Sequence, residues 1–155
     1  MRQTDATTSI RRFLLATLVL GAVGMSTELV LIGHVESVQQ WIPLMLLALG
    51  AVTLGWHAAA PQPAALRAFQ AVMILSVVSG LVGVGLHVRG NLEFELEMYP
   101  SMSGIELVTK TLTGATPVLA PGSMALLGLV GLTYSYKHPL LHTGGVASRN
   151  EEGES

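Results

Sequence analysis

Two ionisable residues lie against the apolar stretches of this chain and define the first chemistry to weigh. Glu28 interrupts an apolar run from Phe13 to Gly33. It sits about 8 Å inside the end of that run at ~1.5 Å rise per residue. A carboxylate in such surroundings is protonated, paired with a cation, or hydrogen-bonded to a neighbouring helix, for which Ser123 lies at a similar depth. Arg89 follows a later apolar run and is the basic residue nearest that depth. A guanidinium can reach inward while its stem stays in apolar surroundings. Glu28 and Arg89 are thus a candidate intramembrane ion pair, with Glu28 alone as an ion-binding carboxylate the second reading.

A second constellation could hold metal. His34, Glu36, His87, Glu93, Glu95 and Glu97 all fall at one end of the apolar runs. Imidazole with carboxylate suits zinc or a similar divalent ion. His57, His138 and His142 fall at the opposite end, and histidines at both ends would also suit haem b. Neither set has a tight ligand spacing such as HExxH. The sequence therefore predicts no cofactor, and a divalent metal and haem b stand as alternatives. The Glu93, Glu95, Glu97 row reads most simply as a solvated face. Its functional reading is a cation-attracting vestibule or a docking surface for a basic partner.

The elements that must position these residues follow from composition. Half of the 155 residues are apolar, 12% are charged, and the mean hydropathy is +0.57. An ordinary globular chain carries about twice that share of charge. The pattern predicts an all-α, polytopic integral membrane protein. Its four expected spans are 13–33, 41–58, 68–88 and 116–136, each about long enough for a ~30 Å hydrocarbon core. Residues 1–12 and 137–155 read as disordered tails. Trp41 and Trp56 mark the interfaces of the second span, with Pro43 expected in its first turn. Pro117 and Pro121 predict an irregular start to the fourth. The first run also imitates a signal peptide, but its apolar character continues past Gly24, so retention as a span is expected.

Residues 89–115 form the long polar interruption. Leu92, Phe94, Leu96 and Met98 alternate with carboxylates and Tyr99. Without a partner strand, a helix with Glu93 and Glu97 one turn apart is preferred. Ser103 and Glu106 read as a capping box, starting a short amphipathic helix with Ile105, Val108 and Leu112 as its apolar stripe. The capping box and the apolar residues Leu92, Phe94, Leu96 and Met98, which need burial, are expected to order the segment against the bundle. Six basic residues fall on one side of the four spans and two, Arg89 and Lys110, on the other. That asymmetry predicts both termini in the cytoplasm, a cytoplasmic-membrane location and an extracytoplasmic middle segment.

Ser76, Gly80, Gly83 and Gly85 give the third span a small-residue face, and Gly128 and Gly131 give one to the fourth. Such faces admit close helix packing, within the bundle or in a homo-oligomer. The chain has no Cys, and no nucleophile or phosphate-loop motif is present. The small net charge of −2 argues against nucleic acid. The expectation is a non-catalytic accessory or interaction protein, acting in a homo-oligomer or larger membrane complex. The alternative is a small transport or cation-binding protein that uses Glu28 and the acidic and histidine residues at 34–97.

Overall fold

The computed structural model describes residues 2–142, and every regular element among them is helical. Six helices follow in order: α1 (Arg2–Leu31), α2 (Val38–Ala59), α3 (Pro63–Met98), α4 (Gly104–Leu112), α5 (Gly122–Ser135) and α6 (Pro139–His142). Three of them, α1, α2 and α3, are long and apolar enough to cross a membrane, and α5 is a shorter apolar helix. This is an all-α arrangement compatible with a helical membrane protein.

Several boundaries differ from the sequence reading. Residues 2–12, expected as a tail, are helical and continue into α1. That helix stops where the chain can reverse its backbone sign. Gly33 has φ +65, its N–H bonds to the Val30 carbonyl, and the His34 N–H bonds to Leu29. This pair of bonds is a Schellman ending, which needs the left-handed conformation glycine takes at little cost. α2 begins at Val38, three residues earlier than expected, because the Gln40 side-chain oxygen accepts the Glu36 and Ser37 N–H groups. Pro43 therefore falls in the second turn instead of the first. At the other end of the chain, residues 137–142 are ordered as a turn and α6, while the rest of the expected tail lies outside the described residues.

The largest difference is in α3. It begins with Pro63, whose missing N–H costs nothing at a first turn. It then continues for 36 residues, through Val88 and on to Met98. At ~1.5 Å per residue that is about 54 Å, well beyond a ~30 Å hydrocarbon layer. The segment expected to separate at Arg89 is thus partly a rigid continuation of the third span. The helix at the position of the expected fourth span is shorter, since α5 covers only 122–135. Residues 116–121 fold as tight turns, with Ala120 N–H bonded to Pro117 O and Gly122 N–H to Leu119 O. The two prolines cannot supply helix N–H groups, which accounts for the shortening.

α3 and α5 form the closest helix pair. Their contact runs through Gly80, Gly83, Gly128 and Gly131, with Ser76 buried beside them. A Cβ on Gly80 would come within 2.5 Å of the Ala125 N, and one on Gly128 within 2.6 Å of the Met73 carbonyl. Pro121 fills the notch over Gly83. Phe69, Met73, Met124 and Leu127 complete the core, joined by Leu46 and Leu47 of α2 and by Leu18 of α1. Gly85, by contrast, faces open space. Replacing Gly80 or Gly128 by Ala is expected to destabilise the bundle by about 1–3 kcal/mol through overpacking. Gly85→Ala should cost nothing. Unfolding of the three variants in detergent checks the difference, and an equal response at all three sites would contradict it.

Candidate functional site

The polar residues gather at the two ends of the bundle. At one end the chain leaves α3 at Met98, turns over residues 99–103, and returns as α4. From Asn91 to Met98 and from Gly104 to Thr111 the rise is the same, about 10 Å, so the two stretches lie alongside as a hairpin. Asn91 holds them. Its Nδ2 donates to the Thr111 carbonyl at 2.9 Å and to the Thr116 carbonyl at 2.8 Å. Its Oδ1 accepts the Thr116 N–H at 3.1 Å and the Thr116 hydroxyl at 2.7 Å. All four positions of the amide are used, as a side chain only 2% exposed requires. Gly114 lies against Asn91, where a Cβ would approach its Cγ to 2.8 Å. His87 Nδ1 donates to the Pro117 carbonyl at 3.1 Å and fixes the same loop to α3.

Sequence reasoning missed Asn91. An asparagine inside a polar stretch carries no spacing signal, and its partners lie 20 and 25 residues away. The reading of α4 also needs correction. Ser103 is the N-terminal boundary residue, but its side chain makes no capping bond, so the Ser103–Glu106 box is not formed. Of the residues expected to be buried, Leu92 is half-buried while Phe94, Leu96 and Met98 are exposed, as is the stripe Ile105, Val108 and Leu112. α4 docks through Thr111 and the half-buried Leu107.

The structure separates the proposed ligand residues. On a helix, Glu93 and Glu97 share a face while Glu95 turns away from them. Glu95 is buried in the hairpin, and Glu93 and Glu97 are exposed. Arg89 Nε lies 2.7 Å from Glu93 Oε1, one turn along the same helix. That partner replaces Glu28. Glu28 is exposed on α1, and among the described residues its carboxylate has no ion pair. The Ser123 hydroxyl donates to the Ala120 carbonyl, and among the described residues no hydrogen bond joins it to Glu28. His34 and Glu36 lie in the α1–α2 link, where Trp41 Nε1 donates to the Val35 carbonyl. Among the described residues, no three of His, Asp and Glu come together as a metal-binding group.

At the opposite end the chain assembles an aromatic and imidazole cluster. His57 ends α2, and His138 follows α5, with ring centroids 5.3 Å apart and planes at 82°. Tyr134 lies 6.5 Å from His57 and 6.2 Å from His138, and Phe69 packs edge-on against Tyr134. His57 is 8% exposed, and among the described residues its Nδ1 has no hydrogen-bond partner. Arg11 closes the cluster. Its guanidinium donates to the Tyr136 and Lys137 carbonyls, at 3.2 and 2.8 Å, covering the end of α5. A cation there also suits the negative end of the helix dipole. Gln70 Nε2 donates to the Ser135 hydroxyl and ties α3 into the same end. The pairing of His57 with His138 is invisible in sequence, because 81 residues separate them.

Between α1, α2, α3 and α5 runs an apolar crevice of about 110 Å³, lined by Leu18, Ala22, Leu47, Gly50 and Met73 among others. The Ser76 hydroxyl in its wall is already bonded to the Val72 carbonyl. The crevice offers apolar contact and no acid–base chemistry. No family model matches the chain, and neither a curated protein nor a solved structure matches it.

Two outcomes follow for these ends. Asn91→Ala strands two carbonyls, an N–H and a hydroxyl, and should weaken hairpin docking by about 1–3 kcal/mol. Hydrogen exchange over residues 104–112 should accelerate in that variant. It should not in Thr111→Val, which removes a buried hydroxyl that has no partner among the described residues. At the other end, burial lowers the His138 pKa, with Arg11 and then His57 adding to the shift. The folded pKa lies below the unfolded one, so the unfolded chain takes up the proton first as pH falls. The stabilisation is complete above the ordinary histidine value of 6.5 and is lost as pH drops below it. Thermal stability in detergent should therefore fall between about pH 7 and pH 5.5. His138→Gln should flatten that fall, and an unchanged slope in the variant would contradict the assignment.

Proposed function

We propose that this chain is a multi-pass protein of the cytoplasmic membrane, with both termini in the cytoplasm, and that it acts as a non-catalytic accessory or interaction protein. The supporting observation is the hairpin of α3 and α4. It is held in one orientation by the fully bonded Asn91, and the apolar stripe of α4 faces away from the bundle. A rigid element with its apolar side outward fits recognition better than catalysis. The basic asymmetry of the sequence supports the orientation, placing the hairpin on the extracytoplasmic side. Retention of the first span is supported by its tertiary contacts. Leu18 is buried in the core, Arg11 covers the end of α5, and Gly21 lies under Leu127.

The cation-binding alternative would need Glu28 and the acidic and histidine residues to act together. The ion pair between Arg89 and Glu93 and the burial of Glu95 weigh against it. Purification in mild detergent, with mass spectrometry and metal analysis, separates the two. The expected result is a partner chain in near-constant ratio and a mature mass that retains the first span. A C-terminal reporter should be active on the cytoplasmic side. A stoichiometric metal with no partner chain would replace the accessory reading by the cation-binding one.

A further inference from the structure

The end of the bundle that carries His57 and His138 is positive and holds an unmet polar group. Arg11 donates to the carbonyls of Tyr136 and Lys137, and neutral partners of this kind leave its charge whole. Lys137 adds a second cation in the same turn, its Nζ 5.5 Å from the centre of the Tyr136 ring. The carboxylates between residues 6 and 141 are Glu28, Glu36, Glu93, Glu95, Glu97 and Glu106, all towards the opposite end. His57 is 8% exposed, so its Nδ1 has lost water and gained no partner among the described residues. Such a group is destabilising until something outside the chain bonds it. The Leu140 N–H points to Nδ1 of His138 at 3.4 Å, which leaves Nε2 as the N–H donor of that ring. The two ring centroids are 5.3 Å apart. Two imidazole N–H groups beside a guanidinium suit an anion with several acceptor oxygens.

The apolar crevice between α1 and α2 begins just below these residues. Leu54 in its wall is one turn from His57 on α2, and Leu18 is two turns from Arg11 on α1. Phe69 lines it too and packs edge-on against Tyr134 of the cluster. From Leu54 to Leu46 the wall runs about 12 Å along α2 at ~1.5 Å per residue. A dry apolar cavity of about 150 Å³ holds a benzene ring, so a crevice of about 110 Å³ takes a few methylenes. The cluster lies at headgroup level, because the first apolar run begins at Phe13 and the second ends at Ala58. An anion held there, above an apolar tail, is the chemistry of a phospholipid. With no carboxylate of residues 6–141 at this end to meet a choline or ethanolamine cation, a headgroup of net negative charge is favoured.

We propose that Arg11, His57 and His138 bind the phosphate of an anionic phospholipid, with part of one acyl chain in the crevice between α1 and α2. The phosphate supplies the acceptor that His57 Nδ1 lacks, and its charge offsets Arg11. The site is independent of the accessory role.

Native mass spectrometry of the full chain tests this, with release from nanodiscs of equal phosphatidylglycerol and phosphatidylcholine of matched acyl chains. One phosphatidylglycerol should stay bound, favoured about fivefold or more over phosphatidylcholine. His57→Phe keeps the bulk of the ring and removes both nitrogens. Retention should fall about fivefold or more in that variant. Its thermal stability in lipid-free detergent should be unchanged or higher, because a stranded nitrogen is gone. Ala51→Leu narrows the crevice from an exposed position, should also lower retention, and decides the question if His57→Phe does not fold. Arg67→Ala removes an exposed cation from the same end of the bundle and should leave retention unchanged. No preference for phosphatidylglycerol, equal losses in Arg67→Ala and His57→Phe, or full retention in His57→Phe or in Ala51→Leu would overturn the proposal. Inorganic phosphate that raises the melting temperature as much as phosphatidylglycerol would overturn it too, by assigning the cluster to a free anion.

Discussion

Gly80 and Gly128 let the backbones of α3 and α5 approach until there is no room for a Cβ on either. That closeness governs the remainder of the bundle. α5 is only 14 residues long, about 21 Å at ~1.5 Å per residue, and cannot cross a membrane as a helix alone. The turns at 116–121 lead into it, with Val118 buried and Pro121 seated in the notch that Gly83 leaves. α1 then packs on α5 through Leu18 and Arg11, and α2 packs on α3 through Leu46, Leu47 and the Gly50–Met73 contact.

The two ends of the bundle inherit this arrangement in different ways. At the hairpin end, α3 is rigid past its apolar stretch, so Asn91 is held at fixed distance from the loop that follows α4. One amide then fixes both the helix and the loop. At the other end, Arg11, His57 and His138 converge because the first turns of α1 lie level with the last turns of α2 and α5. Burial there favours neutral His138, and the neighbouring guanidinium opposes its protonation. No carboxylate among the causes of that shift offsets the positive charge. Acid pH therefore acts on the helix ends at this side.

The helical class and the apolar stretches could be read from composition and run length, since those are local properties. The small-residue positions on the third and fourth spans were also visible as a pattern. Their pairing with each other was not, because a glycine face does not name what packs against it. The polar segment was hardest to read. Alternating residues from Leu92 to Met98 suggest a strand as readily as a helix, and only the continuity of α3 decides the matter. The pairing of Arg89 followed from that decision, since a helix puts Glu93 within reach while Glu28 lies on another element. Asn91 and the His57–His138 pair depend on contacts 20 to 81 residues apart in sequence, which spacing cannot reveal.

The close contact between α3 and α5 is most directly tested by a cysteine pair, and a chain with no native Cys is suited to it. A Cβ on Gly122 would lie 3.8 Å from Val84 Cγ2, so side chains at the two positions touch. Val84→Cys combined with Gly122→Cys should oxidise to an intramolecular disulfide in native membranes, seen as a mobility shift reversed by reductant. Leu81→Cys combined with Gly122→Cys, with residue 81 on the outward side of α3, should remain reduced. Absence of the 84–122 disulfide, or equal oxidation of both pairs, would contradict the α3–α5 contact on which the bundle is built.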